Sequence, residues 1–91
     1  MVIDAKNKIL YDDNEKYELT DLQYKFLVAL SNNEYTTSKK IAKYVFNSST
    51  DVYVNRLPVM KRSLTSKIRE NKLNIKRELD GYILKTDISF T

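Results

Sequence analysis

The chain has 91 residues, a formal net charge of +4 at pH 7, no cysteine and no histidine. This length suits one domain with one core, and the missing residue types exclude disulfide bonds, thiolate zinc sites and histidine general bases, so we expect neither an enzyme nor a cofactor. No apolar run approaches the ~20 residues of a membrane span and no signal-peptide segment is present, so we expect a cytoplasmic protein with no membrane partner.

Residues 1–19 predict a small antiparallel sheet. Val2-Ile3, Ile9-Leu10-Tyr11 and Tyr17-Glu18-Leu19 are short runs rich in β-prone residues. The polar run Asp12-Asp13-Asn14 is typical of a turn.

A first helix is predicted over residues 20–33. Thr20 and Gln23 have the spacing of a capping box, in which the Thr20 hydroxyl accepts from the Gln23 amide and the Gln23 side chain reaches back to the Thr20 amide. One apolar stripe follows at helical spacing, formed by Leu22, Phe26, Ala29 and Leu30.

A second helix is predicted over residues 37–47, with Thr37 as its N-cap. Tyr35-Thr36, just before it, can pair briefly with a strand. The helix is amphipathic, because Lys39, Lys40 and Lys43 lie opposite an apolar face made of Ile41, Ala42, Val45 and Phe46.

The third helix is predicted over residues 55–71, with Asn55 as the cap and Pro58 in the first turn, where a missing N–H has no intrahelical partner. The alternative is a helix that starts near Thr50 and kinks at Pro58. The predicted buried stripe is Leu57, Met60, Leu64 and Ile68. The opposite, polar and basic face carries Asn55, Val59, Arg62, Ser66 and Arg69.

Residues 75–85 predict a β-hairpin. Asp80-Gly81 is a tight-turn signal, and we expect Gly81 to take the positive φ that the turn requires. Lys76 and Arg77 lie near the tip.

Positive charge is concentrated in the second half of the chain. Residues 35–78 carry eleven Lys/Arg against three Asp/Glu, a balance of +8, whereas residues 1–34 have −3 and residues 79–91 have −1. A basic helix followed by a tight hairpin suits duplex DNA. The pattern predicts an α+β winged helix-turn-helix over residues 1–91, with an N-terminal sheet, three helices and a C-terminal hairpin wing.

In such a fold the last helix enters the major groove and the helix before it contacts the backbone. Asn55, Arg62 and Ser66 can reach base edges, and Val59 can contact a thymine methyl group. Phosphates would be bound by amides at the start of the second helix and by Thr36, Thr37, Lys39, Lys67 and Arg69. The wing residues Lys76 and Arg77 would reach an adjacent minor groove or its phosphates.

Four motifs in this order resemble the DNA-binding effector domain of OmpR/PhoB-type response regulators, over nearly the whole chain. They are Leu19-Thr20-x-x-Gln23, Thr37-x-x-x-Ile41, Val59-x-x-x-x-Leu64-x-x-Lys67-Ile68, and Ile75 through Gly81-Tyr82-x-Leu84.

The resemblance implies a transcriptional regulator of a two-component system, with Val59 and Ser63 at base-reading positions and Asn55 one turn earlier. Ser63 and Thr65 stand where the family usually has arginines, and Lys61 replaces an apolar residue. The sequence contains no receiver domain, so it corresponds to an excised effector domain or to a stand-alone regulator. The expected partner is double-stranded DNA, bound as a homodimer or in tandem because one small module binds weakly, with RNA polymerase as a further candidate.

Two other functions stay open at this point. A winged helix can also act as a protein-interaction module without reading DNA, and seven tyrosines could furnish its surface. RNA binding is the third reading, supported only by Tyr24 and Tyr35 as stacking candidates.

Overall fold

The computed structural model describes residues 1–69 and 72–91, and within them four strands form one sheet and three form another. The fold is therefore α+β. In chain order the elements are β1 (Val2–Asp4), β2 (Ile9–Asp12), β3 (Glu15–Glu18), α1 (Asp21–Ala29), β4 (Thr36–Thr37), α2 (Ser38–Phe46), α3 (Asp51–Val54), α4 (Leu57–Lys67), β5 (Ile75–Glu78), β6 (Gly81–Leu84) and β7 (Ser89–Phe90).

The N-terminal sheet has the strand order β3-β2-β1-β7. Strands β1, β2 and β3 pair antiparallel, as predicted for residues 1–19, and bury Ile3 and Leu10. The prediction missed β7, which pairs parallel with β1 and brings the C-terminal segment beside the N-terminal one.

Helix α1 begins as predicted, because the Thr20 side chain accepts from the Gln23 amide and the Gln23 side chain accepts from the Thr20 amide. It ends at Ala29, earlier than predicted, and Asn33 takes a left-handed φ of 60°. The predicted apolar stripe was wrong at Leu22, which is 41% exposed. The core face instead carries Gln23, together with Phe26, Leu27 and Leu30.

Helix α2 confirms the prediction closely. The Thr37 hydroxyl oxygen accepts from the Lys40 amide at 3.3 Å, and Asn47 closes the helix in a left-handed conformation. Ile41, Ala42 and Val45 are buried, while Lys39, Lys40 and Lys43 on the opposite face are exposed.

The predicted helix 55–71 is corrected to α4, which covers only Leu57–Lys67. Residues 51–54 form a separate helix, α3, with Thr50 at its N-cap, so the alternative start near Thr50 applies to α3 and not to α4. Asn55 and Arg56 separate the two helices. Pro58 explains the break, since it has no N–H to donate and its ring would clash with the carbonyl of Val54, four residues earlier. Arg56, not Asn55, therefore occupies the N-cap position of α4, and Pro58 lies in the first turn. The helix ends at Lys67 because Ile68 is extended, with φ −122°; residues 70 and 71 of the prediction lie outside the described residues.

The hairpin consists of β5 and β6, and β6 also pairs with β4. The expectation for Gly81 was wrong, because it has no positive φ; Leu79, the first residue of the two-residue turn, has φ 48°. Glycine is needed at position 81 for space, since a β-carbon there would lie 2.3 Å from the Thr36 carbonyl oxygen.

The core lies between the helices and the two sheets. Helix α4 faces it with Leu57, Met60, Leu64 and the adjacent Ile68, as predicted. The rings of Phe26 and Tyr82 meet edge to face, with centroids 5.8 Å apart, and so join α1 to the hairpin. None of the helices in residues 1–69 and 72–91 is long and apolar enough to cross a membrane.

Candidate nucleic-acid interface

The outer face of α4 turns away from the core and is open to solvent. Val59 is 60% exposed, and Arg62 and Ser66 are exposed along the same side. The buried stripe holds the helix in place, so these three side chains project from a supported element. Asn55 is also exposed, but it lies in the turn before α4.

A cleft of about 270 Å³ separates α4 from the hairpin. We call it the basic cleft, because three cations are among its lining residues Pro58, Lys61, Arg62, Thr65, Arg77 and Tyr82. The Arg77 guanidinium lies 6.0 Å from the centroid of the Tyr82 ring, which keeps this cation against the hairpin. The geometry suits an anion, since the cations approach one space from two elements.

Two members of the basic cleft, Lys61 and Thr65, were missed by the sequence reasoning. They sit on the flank of α4 that faces the hairpin, at positions i+3 and i+7 from Pro58. That spacing was a usable signal, because such residues share one side of a helix. Which side the hairpin covers could not be read from the spacing.

A second depression, the α2 corner, adjoins the first through Arg77. It is lined by Thr37, Ser38, Lys39, Val54, Arg77 and Asp80. Because Arg77 lines both spaces, the start of α2 and the outer face of α4 belong to one continuous surface.

The amides at the start of α2 are less available than the sequence suggested. The Ser38 amide donates to the Asp80 carbonyl oxygen at 2.7 Å, and the Lys40 amide donates to Thr37. The Lys39 ammonium and the Thr37 hydroxyl remain as groups that can meet a phosphate.

Asp80 places a carboxylate in the α2 corner. The Tyr35 hydroxyl donates to this carboxylate, and that hydrogen bond is the main cause of the raised pKa of Tyr35. The bond is fully present below the ordinary tyrosine pKa and is lost as the pH rises through the raised value. Since a carboxylate repels phosphate, Asp80 opposes anion binding at this corner.

Five of the predicted contact residues lie away from the basic cleft or are already engaged. The Lys67 ammonium donates to the Glu18 carbonyl oxygen at the end of β3 and to the Gln23 side-chain oxygen in α1. The Ser63 hydroxyl donates to the Met60 carbonyl oxygen, and Lys76 pairs with Glu78 at 2.9 Å. That ion pair is the first cause of the lowered pKa of Glu78. Arg69 is exposed beyond the end of α4, and the Thr36 hydroxyl donates to the Glu34 carbonyl oxygen at 3.3 Å.

The other flank of α4 forms an apolar groove of about 430 Å³ with the start of α1 and the end of α2. Its apolar lining is Leu22, Phe46, Val59 and Met60. Asn55 and Ser63 also line this groove, so the structure divides the predicted base-reading residues between two sides of α4.

Comparison of the chain with protein-family models, with curated proteins and with solved structures gives no match in any of the three. The geometry of this surface is therefore the basis for assigning a function.

Proposed function

We propose that this chain is a winged helix-turn-helix domain that binds double-stranded DNA sequence-specifically as a transcriptional regulator. Helices α2 and α4 are the helix-turn-helix pair, and the β5–β6 hairpin is the wing. The observation that carries the proposal is the continuity of the exposed face of α4 with the basic cleft and the α2 corner. A duplex requires this combination of an exposed helix face and flanking cations.

Each part of the surface has its own task in this proposal. Arg62 lies where the exposed face of α4 meets the basic cleft, and it donates to guanine in the major groove. Val59 supplies apolar contact to a thymine methyl group. Lys39, Lys61 and Arg77 bind backbone phosphates on either side.

Charge distribution over the chain supports the same orientation. Most residues that line this surface lie within residues 35–78, which carry a balance of +8 from eleven Lys/Arg and three Asp/Glu, whereas residues 1–34 have −3. Such polarity steers one face of the molecule toward a polyanion.

The resemblance to OmpR/PhoB-type effector domains enters the proposal as its finer form, a regulator in a two-component system. A module of this size binds weakly by itself, so we propose homodimers or tandem sites on DNA, with RNA polymerase as a second partner.

Fluorescence anisotropy with a random duplex at several salt concentrations tests the proposal. We expect the logarithm of the association constant to fall with the logarithm of salt concentration at a slope of about −3 to −6, because several phosphates are neutralised. Lys39→Ala should weaken binding to every sequence alike. Lys16→Ala, an exposed charge on β3, is the matched control and should have a smaller effect.

Base reading by Arg62 is tested separately on a duplex selected from a random pool. Arg62→Ala should cost about 1–3 kcal/mol on the selected duplex and less on random DNA. Equal losses on both duplexes would remove Arg62 from the base-reading set.

A protein-interaction module is the second candidate, and the apolar groove is the observation that favours it. Leu22 and Val59 are exposed apolar residues on its two sides. Absence of DNA binding at low salt would support this function over the first.

A further inference from the structure

Gln23 is the only polar side chain in the core of the described part of the chain, with 6% of its surface exposed. Its side-chain oxygen accepts from the Thr20 amide at 3.0 Å and from the Lys67 ammonium at 3.1 Å. Its side-chain nitrogen donates to the Ser63 hydroxyl at 3.2 Å. A buried amide is costly unless its hydrogen bonds are made, and here both of its ends are used.

Lys67 extends this arrangement to the N-terminal sheet. Its ammonium donates to the Glu18 carbonyl oxygen at 2.6 Å, at the end of β3. We call Glu18, Thr20, Gln23, Ser63 and Lys67 the Gln23 network. It connects the β3–α1 joint to α4 at two positions one helical turn apart.

Two attachments on one side of a helix restrict its rotation about its own axis. Leu57, Met60 and Leu64 press α4 onto the core, but apolar contacts are non-directional and tolerate small rotations. The hydrogen bond that Ser63 accepts from Gln23 and those that Lys67 donates are directional and set the angle. That angle decides where Arg62, next to Ser63 in the chain, points.

We propose that Gln23 and Lys67 are positioning residues that set the rotation of α4 and thereby its sequence preference. This inference rests on the proposed DNA-binding function. It also reassigns Lys67, which the sequence suggested as a phosphate ligand: its ammonium already has two acceptors on the α1 side of the helix.

The test measures wild-type protein and variants on a duplex selected by the wild type and on a random duplex, at several salt concentrations. Lys67→Met keeps the aliphatic stem and removes the hydrogen bonds. Lys67→Arg keeps donors and is the rescue variant. Lys25→Met is the matched control, because it removes the same charge from an exposed position of α1.

We expect Lys67→Met to lower the ratio of selected to random affinity about tenfold, with a salt slope equal to that of Lys25→Met. Lys67→Arg should restore most of the ratio. Gln23→Met should lower the ratio in the same way. Faster hydrogen exchange of α4 amides in free Lys67→Met would support a loosened helix, and unchanged exchange would contradict it.

Three outcomes of the binding measurements overturn the inference. A salt slope smaller in magnitude by about one than that of Lys25→Met would make Lys67 a phosphate ligand. An unchanged affinity ratio in a folded Lys67→Met variant would leave the network a stabilising role only. If the wild type binds no DNA or selects no preferred duplex, the proposed function fails first and the positioning role fails with it.

Discussion

Gly81 is held against the backbone of the neighbouring strand β4. A β-carbon there would lie 2.3 Å from the Thr36 carbonyl oxygen and 2.8 Å from the Tyr35 ring. We expect Gly81→Ala to lower the free energy of unfolding by about 2–3 kcal/mol, measured by urea denaturation, because backbone and ring must both move. Gly81→Asn separates the causes: asparagine tolerates positive φ, so a milder effect than alanine would point to φ and an equal or larger one to lack of space.

Leu79 differs from Gly81, because its side chain has open surroundings and its backbone is strained. It is 95% exposed with φ 48°, a conformation in which a leucine β-carbon is crowded by its own backbone. We expect Leu79→Asn to raise the free energy of unfolding by about 0.5–1 kcal/mol, measured by thermal or urea denaturation.

Leu79→Ala is the matched control for that substitution. It removes the same exposed side chain but, unlike asparagine, offers no polar group that can hydrogen-bond the local backbone at positive φ, so its stability should stay close to that of the wild type. If alanine stabilised the protein as much as asparagine, the exposed side chain and not the φ angle would be the source of the gain.

These residues show what a local signal can and cannot predict. Asp80-Gly81 correctly indicated a hairpin. It did not indicate that glycine is needed at position 81 because strand β4, about 45 residues earlier in the chain, lies against it. For a similar reason, Leu22 was predicted to be buried but is exposed, and Gln23 is buried in its place. The capping box was readable from sequence, but the partners that let an amide be buried, Ser63 and Lys67, are distant in the chain.

At the scale of elements, helical periodicity and the cap at Thr37 predicted α2 almost to the residue. Pro58 predicted that α4 starts close to this residue. The sequence left two starting points open, one at Asn55 and one near Thr50. The ring of Tyr53 in the short helix α3 packs on Phe46, with centroids 5.2 Å apart, and this contact stabilises α3 against α2. Since this contact is tertiary, the sequence left residues 51–54 ambiguous.

The junction of the hairpin with α2 gives a prediction about binding. Asp80 holds a carboxylate in the α2 corner beside Lys39. If phosphates bind there, we expect Asp80→Asn to tighten binding to a random duplex several-fold, because a repulsive charge is removed while an acceptor for Tyr35 is retained. The pKa of Tyr35 should fall toward its ordinary value, since a weaker hydrogen bond to a neutral amide replaces the one to the carboxylate and the repulsive effect of the charge is lost.

Asp13→Asn provides the comparison for Asp80→Asn. It makes the same change in net charge in the exposed turn between β2 and β3. Anisotropy titrations that gave equal gains for both variants would show a general charge effect, and the α2 corner would then have no special contact with DNA.

At the scale of the whole molecule, the basic cleft is a product of tertiary structure. Its cations come from α4 and β5, and the sequence showed that both were basic without showing that they face one space. The same limit hid the fourth strand of the N-terminal sheet, β7. Ser89 and Phe90 form a strand too short to carry a periodic pattern, and their pairing with β1 joins opposite ends of the chain.

The pairing of β7 with β1 gives a last prediction. The Ser89 amide donates to the Met1 carbonyl oxygen at 3.0 Å, and the Thr91 amide donates to the Ile3 carbonyl oxygen at 2.9 Å. Phe90 adds an edge-to-face contact with Tyr24, with centroids 6.3 Å apart, although the side chain is 37% exposed. Such a contact is worth less than full burial, so we expect Phe90→Ala to lower the free energy of unfolding by about 1–2 kcal/mol.

Amide hydrogen exchange shows which part of the molecule loses stability in Phe90→Ala. The amides of Ala5 and Thr91, which bond across the β1–β7 pair, should exchange faster in Phe90→Ala, while those of α2 should change only with global stability. Val52→Ala removes an exposed apolar side chain from α3 and should leave both sets unchanged. Uniform acceleration at all sites in Phe90→Ala would mean that β7 unfolds only with the rest of the molecule, and that the two ends of the chain belong to one cooperative unit.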